Sequence, residues 1–235
     1  MTFVLGFIGD THGDLEATLR ACDELYDLGC RDVIQVGDHG FIWPSDMKGY
    51  VHLSRYLVSK GMKMRYLDGN HDYFPLLFRL PRNTENNVAE NLTYQHRGTV
   101  YKYDDGPAVM FLGGAASIDY RGRKEHFTWW REELITDDDV AAALSHKDSK
   151  IDILCTHDSP VPPPGIKETS DMTFNYRAAE CQARIREVVD VINPPLLIHG
   201  HYHLRYSDKY HDTKVEGLDC NYGKFPNFTY VYEQK

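Results

Sequence analysis

No stretch of the chain approaches the roughly 20 consecutive apolar residues needed to cross a bilayer, and no leader of basic, apolar and small-residue sections precedes the first strand-like run. The expectation is a protein without a membrane segment, in the cytoplasm. No CxxC pair occurs among Cys22, Cys30, Cys155, Cys181 and Cys220. A thiolate zinc site or a redox dithiol is therefore not predicted, and the cysteines are expected reduced, packed as small apolar groups. Positive charge is also scarce: 26 Lys and Arg face 35 Asp and Glu, for a net charge of −9. Stable, sequence-independent nucleic-acid binding relies on basic surface and is not expected. A small phosphorylated substrate remains compatible if bound metal ions supply the positive charge. Repeats, low-complexity segments and interdomain linkers are absent too, so a single domain over residues 1–235 is the expectation.

Apolar runs alternate with helical patterns from the start. "TFVLGFI" reads as a buried strand, and Leu15, Leu19, Cys22 and Tyr26 recur at helical spacing behind Asp14, a suitable N-cap. "DVIQV", a helix over 47–60 and "MKMRYL" complete a βαβαβ order, which predicts parallel strands with right-handed crossovers. "GTVYKYDDGPAVMFLGG" predicts an antiparallel hairpin around an Asp-Asp-Gly-Pro turn, and 127–145 a helix in two pieces broken near "ITDDD". Strand "IDILC" and a proline-rich loop lead to a helix carrying Ala178, Cys181, Ile185, Val188 and Ile192, stopped by Pro194 and Pro195. "LLIHG" and two closing strands near 213–218 and 227–232 end the pattern.

Five of these strands finish in the same way. Asp10 and His12 follow the first, Asp38 the second, and Asn70, His71 and Asp72 the third. His157 and Asp158 follow "IDILC", and His201 and His203 follow "LLIHG". Parallel strands bring their carboxyl ends to one edge, where open α/β sheets bind ligands. One such Asp or His is ordinarily a turn or hydrogen-bonding residue. Five sets together would bury unpaired charge unless metal compensates. Imidazole, carboxylate and amide oxygen without thiolate suit Mn²⁺, Fe or Zn²⁺. Seven donors are too many for one ion and suit two, about 3.5–4 Å apart, if one carboxylate bridges.

These residues, in this order, resemble the calcineurin-like metallophosphoesterase superfamily, notably its phosphodiesterase-type phage and bacterial members. The pattern DxH…GD…GNH[DE]…H…GHxH is matched by "DTH" at 10–12, "GD" at 37–38, "GNHD" at 69–72, His157 and "GHYH" at 200–203. The resemblance implies a four-layer α/β/β/α sandwich, two mixed β-sheets face to face with helices outside. It implies one ion held by Asp10, His12, Asp38 and His203, and a second by Asp38, Asn70, His157 and His201, with Asp38 bridging. The ions would be divalent, Mn²⁺ foremost, with Fe, Zn²⁺ or Ni²⁺ as alternatives. A hydroxide between them would attack phosphorus, and His71 would protonate the leaving oxygen, its ring oriented by Asp72.

Protein phosphatases of the superfamily generally lack the second His of GHxH and carry extra arginines around the phosphate. Both His are present here, which favours a phosphodiesterase acting on a small nucleotide-like substrate, cyclic or linear. A broad phosphomonoesterase or Ser/Thr protein phosphatase is the alternative, and a non-catalytic scaffold on the same fold the third reading. Residues 111–133 resemble a segment of the phage and bacterial members: Arg121 or Arg123 would contact a phosphate and Trp129 or Trp130 stack on a base, unless the arginines are surface groups and the Trp pair is buried. His39, His199 and Asp158 are expected to support or pack against the ligands.

Overall fold

The computed structural model describes residues 2–80, 89–167, 169–222 and 228–234. The first sheet grows from the expected βαβαβ order. β1 (Phe3–Ile8), β2 (Asp32–Gln35), β3 (Lys63–Tyr66) and β4 (Leu92–Tyr94) run parallel, and β11 (Thr229–Gln234) adds an antiparallel edge beside β1. The second sheet has the order β5-β6-β7-β8-β10-β9. In it β5 (Thr99–Lys102) and β6 (Ala108–Leu112) form the predicted hairpin. β6, β7 (Ile153–Thr156), β8 (Leu196–His199) and β10 (Thr213–Gly217) are parallel, and β9 (Tyr206–Tyr210) closes the other edge antiparallel.

Three apolar layers hold these sheets. Because side chains alternate across a strand, Leu5 and Phe7 of β1 face the second sheet, where they meet Val109, Phe111, Ile153 and Ile198. Ile8 faces the other way, into a layer completed by Ala21 and Leu25 of α1 (Leu15–Asp27) and Leu53 and Leu57 of α2 (Lys48–Lys60). Beyond the second sheet, Met110, Leu154 and Leu197 pack on Val140 of α4 (Asp137–Leu144) and on Cys181, Ile185 and Val188 of α5 (Met172–Ile192). The remaining helix, α3 (Phe74–Leu77), is a single turn. Helix, sheet, sheet and helix make the expected four-layer sandwich, two mixed sheets flanked by helices.

Local chemistry sets the helix ends. Asp14 caps α1 by accepting from Ala17 N at 3.0 Å. Gly61 ends α2 in the left-handed region at φ 62°. α5 begins at Met172, where the proline-rich loop ends, because Asp171 accepts from Thr173 N and Phe174 N and caps it. Two expectations shift. The two-piece helix over 127–145 keeps only its second piece as α4; its first contributes one 3₁₀ turn, Arg131–Glu133. The last strand lies at 229–234, and residue 227 of its expected span lies outside the described residues. All five cysteines are free and buried, as expected. No helix among the described residues is long and apolar enough to cross a membrane.

Candidate metal centre

The five strand ends meet where the carboxyl edges of the two sheets adjoin, three from the first sheet and two from the second. Asp10, His12 and His203 bring donor atoms within 4.8 Å of one another, and so do Asp10, Asp38 and His157. His203 Nε2 lies 3.2 Å from Asp10 Oδ2 and 3.0 Å from His12 Nε2. His157 Nε2 lies 3.4 Å from Asp38 Oδ2 and 3.2 Å from Asn70 Oδ1. His201 sits with its ring centroid 5.1 Å from that of His157, and its backbone N–H donates to both oxygens of Asp10 at 3.1 Å. The two close sets share Asp10; Asp38 spans them differently, with Oδ2 also 3.9 Å from His12 Nδ1. Asp10, Asp38, Asn70 and His157 form a buried floor, and His203, at 43% side-chain exposure, opens the rim to solvent.

The backbone is contorted to achieve this. His12, Asp38, His201 and His203 all have positive φ, from 46° to 70°, a region that costs non-glycine residues about 1–3 kcal/mol each. The motif glycines answer to close approach. A Cβ on Gly69 would overlap Asp38 Oδ1 and the His157 ring, and one on Gly200 would overlap Asp10 Oδ1.

Without ions, the chain balances its carboxylates with protons. Burial would lower His157, but Asp38 and then Asp10 outweigh it and raise the imidazole to about 10. Burial would raise Asp38, yet His157, His71 and His12 hold it well below the usual carboxylate range. Hydrogen bonding to Asp10 lifts His203 to about 10. Burial pushes His12 and His201 down, leaving them neutral with lone pairs available. Protons held by buried acid–imidazole pairs are what a divalent cation displaces. The donor set, oxygen and imidazole nitrogen held by strained backbone, fits such ions.

Asp72 departs from expectation. Its Oδ2 accepts from Gly69 N at 2.8 Å and His39 N at 3.3 Å, and its Oδ1 from Gly40 N at 2.9 Å, so its hydrogen bonds go to backbone and not to the His71 ring. It ties the second and third strand ends together, and burial, then the charge of Asp38, raise it to about 7. His71 points differently: its backbone N–H donates to Asp38 Oδ1 at 2.7 Å, and its ring lies 5.6 Å, centroid to centroid, from that of His12. His39 stacks on Tyr66 at 4.1 Å, and burial drives it down to about 3. His199 Nε2 meets Tyr206 Oη at 2.6 Å, and Asp158 accepts from Tyr202 Oη at 2.7 Å.

Arg121 pairs with Asp171 at the start of α5. Arg123 reaches Ser117 Oγ at 3.1 Å and lies 3.6 Å from Asp119. Trp130 is buried against Trp43 and Tyr73, and Trp129 against Tyr120, so neither offers a free face for a base. The sequence reading missed the group behind Asn70. Ser117 Oγ accepts from Asn70 Nδ2 at 3.0 Å and donates to Glu133 Oε2 at 2.6 Å, and Arg177 pairs with Glu133 at 2.7 Å. With its NH₂ side fixed on Ser117, Asn70 turns its oxygen to His157. The one available sequence signal was the Ser-Ile-Asp of 117–119.

The model of one family, calcineurin-like phosphoesterase, matches residues 3–205. The chain belongs to the calcineurin-like phosphoesterases. As a member it is a phosphoester hydrolase. Solved structures of similar fold include TT1561 of Thermus thermophilus, 16% identical over 94% of this chain and 91% of that one, with a TM-score of 0.63. A dimetal phosphatase from Danio rerio is 15% identical over 93% and 88%, with a TM-score of 0.55. The phosphopantetheinyl hydrolase of Mycobacterium tuberculosis is 12% identical over 97% and 95%, with a TM-score of 0.51. Identities this low speak for the shared fold alone. Among curated proteins, no sequence matches this one.

Proposed function

We propose that this phosphoesterase is a dinuclear-metal phosphodiesterase acting on a small nucleotide-like substrate, cyclic or linear. The observation that carries the reading is the convergence of Asp10, His12, Asp38, Asn70, His157, His201 and His203 from five strand ends on one partly open cluster. Asp10, His12 and His203 would hold one ion; Asn70, His157 and His201 would hold the other. Asp38, in reach of His12 and His157, would serve both. When bound, such ions, Mn²⁺ foremost for this donor set, neutralise phosphate charge and lower the pKa of a shared water.

The chain's own groups do the rest. Asp38 takes a backbone N–H from His71, which fixes the loop that carries the imidazole. His71 gives a proton to the leaving ester oxygen, a role worth about 10²–10⁴-fold in rate. Arg121 and Arg123 are committed to Asp171, Ser117 and Asp119. With no free arginine clamp among the described residues, the site suits a diester, with its single negative charge, better than a doubly charged monoester. The dimetal phosphatase among the similar folds is compatible with two ions here.

The test is hydrolysis by the metal-stripped and Mn²⁺-reloaded protein of bis-p-nitrophenyl phosphate and p-nitrophenyl phosphate, side by side. Faster Mn²⁺-dependent cleavage of the diester is expected, with His71→Ala losing turnover at unchanged metal content. A monoester preference would move the assignment to a phosphomonoesterase, and metal loss in His71→Ala would overturn the proton-donor role.

A further inference from the structure

A cavity of about 490 Å³ opens beside the cluster and shares His201 with it. Its size lies within the roughly 300–1,000 Å³ typical of small-molecule sites. Ile118, Ile166 and Phe174 form apolar walls, and Ala178 of α5 leaves room where a larger side chain would intrude. Ile118 and Ile166 are 61% and 44% exposed, apolar surface that a ligand would cover. Lys167 supplies one cation at its wall.

One polar group is fixed at its inner side. Tyr202 Oη donates to Asp158 Oδ1 at 2.7 Å, so its lone pair accepts from Gln182 Nε2 at 2.9 Å. That proton order sets the amide orientation. Gln182 is 7% exposed, lines the cavity, and keeps its Oε1 without a partner among the described residues. The result is a mostly apolar slot whose wall carries the Gln182 amide beside Thr169 and Asn175, next to an expected metal ligand.

We propose that this cavity binds the non-leaving ester group of the substrate, an uncharged heterocyclic ring of the nucleobase type, with a ring N–H read by Gln182 Oε1. The proposal rests on the phosphodiesterase reading for the position of the phosphate at His201. It makes Gln182 and Ala178 specificity residues.

Two esters with the same leaving group separate the contributions: thymidine 5′-(p-nitrophenyl phosphate) and methyl p-nitrophenyl phosphate. The Mn²⁺-loaded protein is expected to favour the thymidine ester in kcat/KM by at least about tenfold, the scale of discrimination by a buried apolar group. Ala178→Trp, which fills the slot, brings the ratio toward one, and Gln182→Leu lowers it in part. A wild-type ratio near one, or an undiminished ratio in Ala178→Trp, overturns the proposal. A binding measurement keeps the cavity separate from catalysis: titration calorimetry of thymidine 5′-monophosphate against 2-deoxyribose 5-phosphate. Tighter binding of the nucleotide, lost in Ala178→Trp, supports the cavity even if neither ester is cleaved, an outcome that would sink only the phosphodiesterase reading. Equal affinities for the two ligands overturn the cavity assignment.

Discussion

Two buried charge clusters sit two residues apart at the end of β3 and are resolved in opposite ways. Asp68 accepts from Arg97 Nη2 at 2.6 Å and from Tyr94 Oη at 2.8 Å, and Arg97 spends its other donors on Asp139 and on the carbonyls of Leu134 and Glu132. Burial would lower the Arg97 guanidinium, but Asp68 and Asp139 more than restore its charge. The chain satisfies that cluster from within. Around Asn70 the opposite holds. Asp10 and Asp38 are buried beneath the imidazoles of His12, His157 and His203, with no Lys or Arg side chain paired to them among the described residues, and two of those imidazoles turn toward one another at 3.0 Å. A closed cluster stabilises the fold; an open one keeps its binding capacity for something from solution.

Each side of that contrast can be broken. The largest effect is expected from Asp38→Ala, which empties both metal positions by elemental analysis, whereas Asp10→Ala tests the carboxylate shared by the two close donor sets. If Asp38→Ala keeps one position fully occupied, Asp38 is not the bridge. Arg97→Met strands Asp68 without its cation and should cost about 3–5 kcal/mol in urea unfolding, while the folded protein still takes up metal. A loss below about 1 kcal/mol would mean that Asp68 finds other partners. Ser117→Ala releases the Asn70 amide and should weaken metal binding at one position about 10–100-fold, leaving the other unchanged; equal weakening at both would place Ser117 elsewhere in the design.

The smallest effect belongs to another closed cluster, Glu216 with Arg205, Ser207 at 3.0 Å and Lys214 at 2.6 Å. Burial would raise this carboxyl, but Lys214 and Arg205 hold it below its usual value. The stability it contributes is therefore present above its unfolded pKa of about 4.3 and lost as pH falls through the lower folded value. Glu216→Gln should cost about 1 kcal/mol at neutral pH, with the two unfolding curves converging in acid. A gap that persists in acid would point to packing and not charge.

The convergence of the candidate residues was legible because each sits at the end of a strand whose apolar run announces it, as "FVLGFI" does for Asp10 and "LLIHG" for His201. The layers were legible for the same reason. β4 and β9 were not: one is three residues long, and the other, "YSDKY", is an edge strand whose middle residues face solvent and show no apolar alternation. Asp72 looked like a partner for its sequence neighbour His71, but its bonds run to His39 and Gly40, set by how two loops pack. Ser117, Glu133 and Arg177 meet only through the fold, so no local spacing marks them.

The ladder between β1 and β11 pairs Phe3 with Gln234 and Ile8 with Thr229, so the strand that delivers Asp10 and His12 acquires its last neighbour from the far end of the chain. Contacts this distant in sequence form slowly. On the ribosome, His203 emerges before residues 229–234 do, and all seven donors are then available while one edge of β1 is still bare. Ion capture by the proposed site would thus be possible before the sheet is complete, which would give a metal a place in the order of folding.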